Sequence, residues 1–140
     1  MPTYRKRIEA GSNFNKGQRS QYPYNEVQVN YTKRTGETVR VKVDSYNPYK
    51  GEIVERQFTQ LGEVKEQTAK KYINQLANKY PPGAEIADVP SNGKLRGRVL
   101  EGQQILEVPP QKSDVPQSIK DYASDKGIII RDSHGRVYND

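Results

Sequence analysis

Alternating apolar and polar residues in the first third of the chain predict three β-strands. Valine recurs at every second position within residues 25–32 and again within residues 37–45. A third alternating stretch covers residues 52–59 and follows a Pro-Tyr-Lys-Gly turn at residues 48–51. Because the connections are short, the three strands are expected to form an antiparallel meander.

The apolar spacing changes to a helical period in residues 63–80. Apolar side chains recur there at intervals of three and four residues, which places them on one stripe of an amphipathic helix that ends at Pro81. The remaining predicted elements are a strand, a glycine-rich basic loop, a strand, a helix and a strand: residues 85–89, 91–98, 103–108, 116–126 and 128–130. This order predicts an α+β fold, an α/β sandwich built on a mixed sheet that opens with the antiparallel meander.

Residues 1–22 carry no such periodicity and predict a flexible basic arm or linker. Their charged residues are five cations and one acid: Arg5, Lys6, Arg7, Lys16, Arg19 and Glu9. Glycine and serine are interspersed among them, which is typical of a poorly ordered tether. Since the chain has 140 residues, a single folded domain over residues 23–140 is expected.

The composition narrows the chemistry available to this chain. It contains no cysteine and one histidine, His134, which excludes disulfide scaffolds, thiol nucleophiles and zinc sites built on cysteine or on paired histidines. A metal would have to bind to carboxylates, which favours a hard cation such as Mg²⁺ or Mn²⁺. The net charge of +6 favours polyanionic partners such as nucleic acid. No stretch has the apolar character of a transmembrane helix or a signal peptide.

Two carboxylates are predicted to face each other across the second and third strands. A four-residue turn at residues 48–51 places Asp44 opposite Glu55 and Lys42 opposite Gln57. All four side chains are expected on the face that lacks the valines. Neighbouring carboxylates repel, whereas a divalent cation held between them removes the repulsion and can activate water for phosphodiester hydrolysis. The same alternation is also typical of an ordinary solvated sheet face, so both interpretations stay open.

Other acidic residues and the histidine are alternative candidates for catalysis. Glu26 on the first strand is a candidate third metal ligand, or a solvent-facing strand residue. Asp88 and Glu107, at the ends of two later strands, form a second-choice carboxylate pair. His134 lies in a Ser-His-Gly turn, either as an exposed turn residue or as the general base of a metal-independent ribonuclease.

Several cations are predicted to contact a phosphate backbone. Lys94, Arg96 and Arg98 lie in the glycine-rich loop, and Arg56 lies beside Glu55 on the third strand. Basic runs of this kind are also common on solvated surfaces. The loop lacks the Lys-Ser/Thr ending of a phosphate-binding P-loop, so nucleotide hydrolysis is not expected. No small-molecule cofactor is expected either.

The second and third strands also resemble a known catalytic hairpin. Residues 41–48 and 51–57 read VKVDSYNP and GEIVERQ, and they are similar to the β-hairpin of PD-(D/E)XK nucleases, in which an Asp closes one strand and a Glu-x-Lys triplet lies on the next. The resemblance implies a restriction-endonuclease-like fold with Asp44 and Glu55 as ligands of Mg²⁺ or Mn²⁺. Gln57 takes the lysine position, which is a departure from the family. The resemblance therefore implies that Gln57 orients water as a neutral donor or that Lys42 supplies the charge.

A wider resemblance places the chain among bacterial toxin modules. It is carried by six short segments: residues 22–27, 58–61, 87–90, 105–109, 115–118 and 130–132. These segments resemble the C-terminal nuclease toxin domains of polymorphic and contact-dependent growth inhibition systems. The resemblance implies a module of a larger secreted toxin that is delivered to the target-cell cytoplasm and neutralised by a cognate immunity protein. The charge of this chain favours an immunity protein with an acidic surface.

The substrate and the reaction class stay open at this point. DNA and RNA, including tRNA, offer the same phosphodiester bond to a metal-dependent endonuclease. The alternatives are a metal-independent ribonuclease that uses His134 and a noncatalytic nucleic-acid-binding module.

Overall fold

The computed structural model describes the backbone of residues 3–140 and the side chains from residue 8 onward. Within these residues one mixed sheet contains five strands in the order β1-β2-β3-β4-β5. The strands are β1 (Tyr24–Thr32), β2 (Thr38–Asn47), β3 (Glu52–Arg56), β4 (Gln103–Val108) and β5 (Ile128–Asp132). Strands β1 to β3 pair antiparallel and strands β3 to β5 pair parallel. The predicted α+β class, with a mixed sheet that opens as an antiparallel meander, is confirmed.

Two helices, α2 (Glu66–Lys79) and α3 (Gln117–Asp125), cover one face of the sheet. The predicted stripe of α2 is buried through Ala69, Ile73 and Leu76, which pack in one cluster with residues of β4 and β5. Pro116 precedes α3, in agreement with the predicted start of that helix. None of the helices within the described residues combines the length and the apolar content that a membrane crossing requires.

Helix α1 (Thr3–Arg19) occupies most of the segment for which the sequence predicts a flexible arm. It lies against the other face of the sheet, where the Phe14 and Phe58 rings are 5.7 Å apart and Asn15 accepts a hydrogen bond from Arg56. The side chains of residues 5–7, the basic run of the predicted arm, lie outside the described ones. Helix α1 contacts the sheet through few residues, and its partners are distant in sequence. The local pattern of apolar residues therefore does not predict this helix.

The face of β2 that packs against the core changes along the strand. Val43 and Tyr46 are both buried in the core, although strict alternation would place them on opposite faces of the sheet. The register of β1 and β2 is the same before and after this point, which puts Glu26 opposite Asp44. Glu26 has a left-handed backbone with φ of 51°, so the alternation is interrupted where Asp44 lies.

The strand expected at residues 85–89 is reduced to isolated bridges, in which Ile86 pairs with Val29 of β1. The next segment, Pro90–Leu95, forms a 3-10 helix. Its buried Asn92 accepts a hydrogen bond from the backbone N–H of Gln28 and donates one to the Gln28 carbonyl. The Asn92 side chain thus makes hydrogen bonds to the edge of β1 that a regular neighbouring strand would otherwise have made.

Candidate active site

Asp44 and Glu55 lie at a fork in the sheet. The pairing of β2 with β3 contains Asn47 opposite Glu52, as the turn length predicts, and it stops one residue before Asp44. Beyond this point β2 continues with β1 and β3 continues with β4. Asp44 and Glu55 are therefore the first residues on each side of the opening between two diverging strands.

The two carboxylates take over the hydrogen bonds that the fork leaves unmade. The Asp44 N–H donates to Glu55 Oε1 at 2.9 Å, and the Arg56 N–H donates to Asp44 Oδ2 at 2.8 Å. Each carboxylate thereby satisfies a backbone amide of the opposite strand. Among the side chains from residue 8 onward and the described backbone, no other hydrogen-bond donor contacts these carboxylates, so Asp44 Oδ1 and Glu55 Oε2 have none. One oxygen of each carboxylate is left for another ligand.

The surroundings of the pair disfavour two negative charges. Burial raises the pKa of Glu55 from 4.5 to about 8, and the neighbouring Asp44 charge adds to this effect. Burial also raises the pKa of Asp44, although the hydrogen bond from the Arg56 amide opposes the shift. Without a cation, the pair therefore holds a proton at neutral pH. A divalent cation that binds to the two carboxylates would displace this proton.

Helix α2 closes one side of this site, contrary to the expectation of an open polar face. The Tyr80 hydroxyl donates to the Lys42 carbonyl at 2.6 Å. Burial, followed by the charges of Glu55 and Asp44, raises the pKa of Tyr80 well above its usual range. The charge of Lys79 lowers the pKa of Glu55, in opposition to burial. The carboxylates thus lie at the rim of the core, beside the end of α2.

The donor chemistry at the fork fits a hard divalent cation. Mg²⁺ is commonly held by one or two carboxylates, with water and substrate phosphate completing its coordination. Asp44 and Glu55 supply two such oxygens. Glu26, the candidate third ligand, is exposed and is held by Arg19 at 2.7 Å. In the described part of the chain, no group of three or more histidine, aspartate or glutamate side chains is arranged to hold a metal ion.

Lys42 and Gln57, which the sequence analysis predicts to assist catalysis, do not lie opposite each other across the fork. Lys42 is exposed and pairs with Gln28 on β1. Gln57 follows the end of β3, and its N–H donates to the Glu107 carbonyl of β4 at 3.0 Å. Because β2 and β3 diverge at Asp44, the register that brought Lys42 opposite Gln57 does not extend to them.

Arg56 is buried on the opposite face of β3 and is not exposed for the phosphate contact that the sequence analysis expects. Its Nε atom donates to Glu107 Oε1 at 2.8 Å, and the two side chains are 1% and 3% exposed. Its Nη1 atom donates to Asn15 of α1 at 3.0 Å and its Nη2 atom donates to Ser45. The Tyr22 ring lies 5.1 Å from the guanidinium carbon. Arg56 therefore fastens α1 to the sheet.

A polar cleft of about 290 Å³ lies beside this buried pair and contains His134. The Tyr22 hydroxyl donates to Glu107 Oε2 at 2.5 Å and accepts from Arg131 at 3.0 Å, while Arg131 also donates to Glu52 at 2.6 Å. Burial and Glu107 together raise the pKa of Tyr22 to about 12, so Tyr22 remains a neutral donor. Sequence reasoning missed Tyr22 because its partner is 85 residues away.

The second-choice pair is not brought together. Asp88 is exposed and forms an ion pair with Arg96 at 2.8 Å, whereas Glu107 is buried beneath Tyr22 and shares the cleft with His134. Lys94 and Arg98 are exposed in the same loop as Arg96. The loop cations are thus accessible to a ligand, in contrast to Arg56.

Comparison of the chain with protein-family models, with curated proteins and with solved structures gave no match. Its function is therefore inferred from the chemistry of its own side chains. Among the side chains that the structure describes, groups able to perform acid, base or metal chemistry come together at the fork of Asp44 and Glu55 and at the cleft of His134.

The raised pKa of Glu55 predicts an unusual pH dependence of stability. In the folded chain Glu55 stays protonated up to about pH 8, whereas in the unfolded chain it ionises near pH 4.5, so folding takes up a proton between these values. The free energy of unfolding should therefore fall as pH rises through this window, by up to about 1.4 kcal/mol per pH unit. Glu55→Gln should remove this decline and stabilise the chain at pH 9, with little effect at pH 4.5.

Urea unfolding of both proteins at pH 4.5, 7 and 9 in EDTA measures this difference. Glu63→Gln changes an exposed carboxylate in the loop before α2 and serves as the control. Parallel pH profiles for wild type and Glu55→Gln would contradict the burial of a protonated Glu55.

Proposed function

We propose that this chain is a metal-dependent endonuclease domain that hydrolyses phosphodiester bonds of DNA or RNA. The observation that carries the proposal is the fork, where Asp44 and Glu55 are adjacent, partly buried and each left with one oxygen without a donor. Two such carboxylates are the donors that Mg²⁺ or Mn²⁺ needs. Burial and mutual repulsion, which raise the pKa of Glu55 to about 8, favour replacement of the shared proton by a divalent cation.

The topology supports a restriction-endonuclease-like arrangement of this domain. An antiparallel β1-β2-β3 meander, followed by a helix and by the parallel strand β4, agrees with the fold that the resemblance to PD-(D/E)XK nucleases implies. Asp44 on β2 and Glu55 on β3 occupy the two positions that the resemblance assigns to metal ligands. Gln57, two residues beyond Glu55, takes the place of the lysine.

In this proposal the residues of the fork have separate roles. The backbone amides of Asp44 and Arg56 fix the orientation of the two carboxylates and leave one oxygen of each free. A bound divalent ion would supply charge stabilisation for the phosphate and a lower pKa for water. Gln57 is a neutral hydrogen-bond donor two residues beyond Glu55, and the resemblance assigns the positive charge to Lys42, which is exposed on β2 two residues before Asp44.

The charge of the surface supports a nucleic-acid substrate. The chain has a net charge of +6, and Lys94, Arg96 and Arg98 are exposed in one loop. Their cations can bind a phosphate backbone and hold it near the domain independently of base sequence. Both DNA and RNA, with tRNA among the RNA substrates, fit this description.

The cleft at His134 supports a second candidate function, a metal-independent ribonuclease. His134 lines the same cleft as Glu107 and Arg131, and a neutral Tyr22 donates to Glu107 within it. An imidazole changes its protonation near neutral pH and can act as a general base. Arg131 and Glu107 are already engaged in ion pairs, which favours the fork over the cleft as the catalytic site.

We propose further that the domain acts as a toxin module. The resemblance to polymorphic and contact-dependent inhibition toxins supports a parent protein that is secreted and a site of action in the cytoplasm of the target cell. A nuclease in the producing cell requires silencing, and the basic charge of the chain favours a cognate immunity protein with an acidic surface.

Metal binding with proton release tests the proposed site without any substrate. At pH 7 the addition of Mn²⁺ should displace about one proton per bound ion, because Glu55 is protonated below its pKa of about 8. Titration calorimetry in two buffers of different ionisation enthalpy measures the number of protons. Asp44→Asn should abolish the binding, whereas His134→Ala should leave it unchanged. Binding that persists in Asp44→Asn would place the metal elsewhere.

A further inference from the structure

The turn between β2 and β3, residues 48–51, carries an aromatic side chain directed into solvent. Tyr49 is 80% exposed, more than any other large apolar or aromatic residue within the described side chains. Lys50 follows it and is also exposed. An exposed aromatic ring next to a cation is the combination with which proteins stack on bases while holding phosphate.

The turn is held firmly, so Tyr49 is presented at a fixed place. The buried Asn47 side chain accepts hydrogen bonds from the backbone N–H groups of Tyr49 and Lys50, both at 3.1 Å. Gly51 and Gly102 pack so closely that a Cβ on Gly102 would lie 2.2 Å from the Gly51 backbone. Because the backbone is already ordered, little conformational entropy is lost when a ligand contacts Tyr49.

A second aromatic residue and a loop arginine adjoin the turn. Tyr49 is near enough to Tyr24 to raise the pKa of the Tyr24 hydroxyl, and Arg98 is near enough to lower it. Pro48 of the turn and Arg98 line the same small pocket, together with the acidic residue Glu101. Tyr24, Tyr49, Lys50 and Arg98 are called the tip patch below. The patch contains two cations, and Glu101 is the acid beside it.

We propose that the tip patch binds single-stranded nucleic acid, with an unstacked base on Tyr49 and phosphates at Lys50 and Arg98. This inference rests on the proposed nuclease function and assigns its substrate class. Bases in a duplex are stacked on each other, so a single protruding ring has access only to a base that is already unpaired. A loop of RNA or a single-stranded region of DNA offers such bases.

The tip patch and the fork lie on the same hairpin. Asn47, whose side chain holds the turn, lies three residues after Asp44 on β2, a distance of about 10 Å at the rise of a strand.

Equilibrium binding in the full chain tests the tip patch. Fluorescence anisotropy compares a labelled single-stranded oligonucleotide with a duplex of the same length, in EDTA and in the Asp44→Asn background, so that the ligand stays intact. Tyr49→Ala should weaken single-strand binding by roughly 5- to 150-fold, the range for loss of one base stack, and should change duplex binding by less than about twofold. Tyr49→Phe should retain single-strand binding.

Matched variants at the far end of β2 serve as controls. Tyr31→Ala removes a tyrosine from the other end of β1, and Arg34→Ala removes an exposed cation from the β1–β2 turn. Arg98→Ala is expected to weaken single-strand binding, as is Tyr49→Ala. Neither control variant should show such a loss. Equal single-strand affinity in wild type and Tyr49→Ala, or equal losses for single strand and duplex, would overturn the proposal. So would a Tyr49→Ala variant that loses only the binding of a protein inhibitor.

Cleavage assays keep this inference separate from the proposed function. A wild-type chain that binds single strands through Tyr49 and cleaves nothing would overturn the nuclease proposal and leave the tip patch supported. A chain that cleaves with metal and whose Tyr49→Ala variant has unchanged single-strand affinity would overturn the tip patch alone.

Discussion

Replacing Asp44 with asparagine is expected to reduce metal-dependent cleavage by on the order of 10³-fold or more, while the fold stays intact. The loss reflects several kcal/mol of charge stabilisation that a divalent ion supplies to a phosphoryl transition state. Asparagine retains an oxygen that can accept the hydrogen bond of the Arg56 amide, which Asp44 accepts at 2.8 Å. It also removes the charge that raises the pKa of Glu55. The variant should therefore be at least as stable as wild type in metal-free buffer.

The control for Asp44 is another aspartate that is not at the fork. Asp88 is exposed and paired with Arg96, so Asp88→Asn should cleave at the wild-type rate. Initial rates in Mn²⁺ and thermal unfolding in EDTA, measured on the same preparations, separate catalysis from folding. An active Asp44→Asn together with an inactive Asp88→Asn would move the site away from the fork.

Removing Glu107 is expected to cause the largest loss of stability of any single change described above. Glu107 and Arg56 are 3% and 1% exposed, and Glu107→Ala would leave the guanidinium buried without a counter-charge. Breaking a buried pair in this way costs about 3–5 kcal/mol. The double variant Arg56→Met with Glu107→Leu should recover much of this loss, because it removes both charges and keeps the volume apolar. Denaturant unfolding at pH 7 measures all three proteins.

The exposed ion pair of Asp88 and Arg96 provides the comparison for the buried one. These side chains are 76% and 48% exposed, and Asp88→Ala should cost less than about 1 kcal/mol. If Glu107→Ala costs no more than Asp88→Ala, Arg56 is solvated in solution and does not anchor α1 as described.

The register at the fork could be predicted from sequence because it depends on local chemistry. A Pro-Tyr-Lys-Gly turn of four residues places Asn47 opposite Glu52, and the extension of that register makes Asp44 the neighbour of Glu55. The helical period of residues 63–80 likewise predicts α2 (Glu66–Lys79) without reference to the rest of the chain.

The features that sequence reasoning missed depend on contacts between distant residues. Helix α1 is attached to the sheet through Asn15 and Arg56, which are 41 residues apart, and no periodicity encodes this contact. The position of Asp44 at the rim of the core depends on the left-handed backbone of Glu26, a conformation that glutamate rarely adopts. The burial of Arg56 follows from Glu107, 51 residues later in the chain. Propensity and patterning describe neighbours in sequence and give no information about such pairs.

The most direct test of the proposed chemistry is digestion of supercoiled plasmid and of total tRNA by the wild-type chain in Mg²⁺, Mn²⁺ or EDTA. Asp44→Asn and His134→Ala are assayed in parallel. The carboxylate fork predicts cleavage of at least one substrate with a divalent ion, no cleavage in EDTA or by Asp44→Asn, and retained cleavage by His134→Ala. Cleavage that persists in EDTA and is lost in His134→Ala would contradict the metal site and favour the cleft, and binding without any cleavage would contradict both.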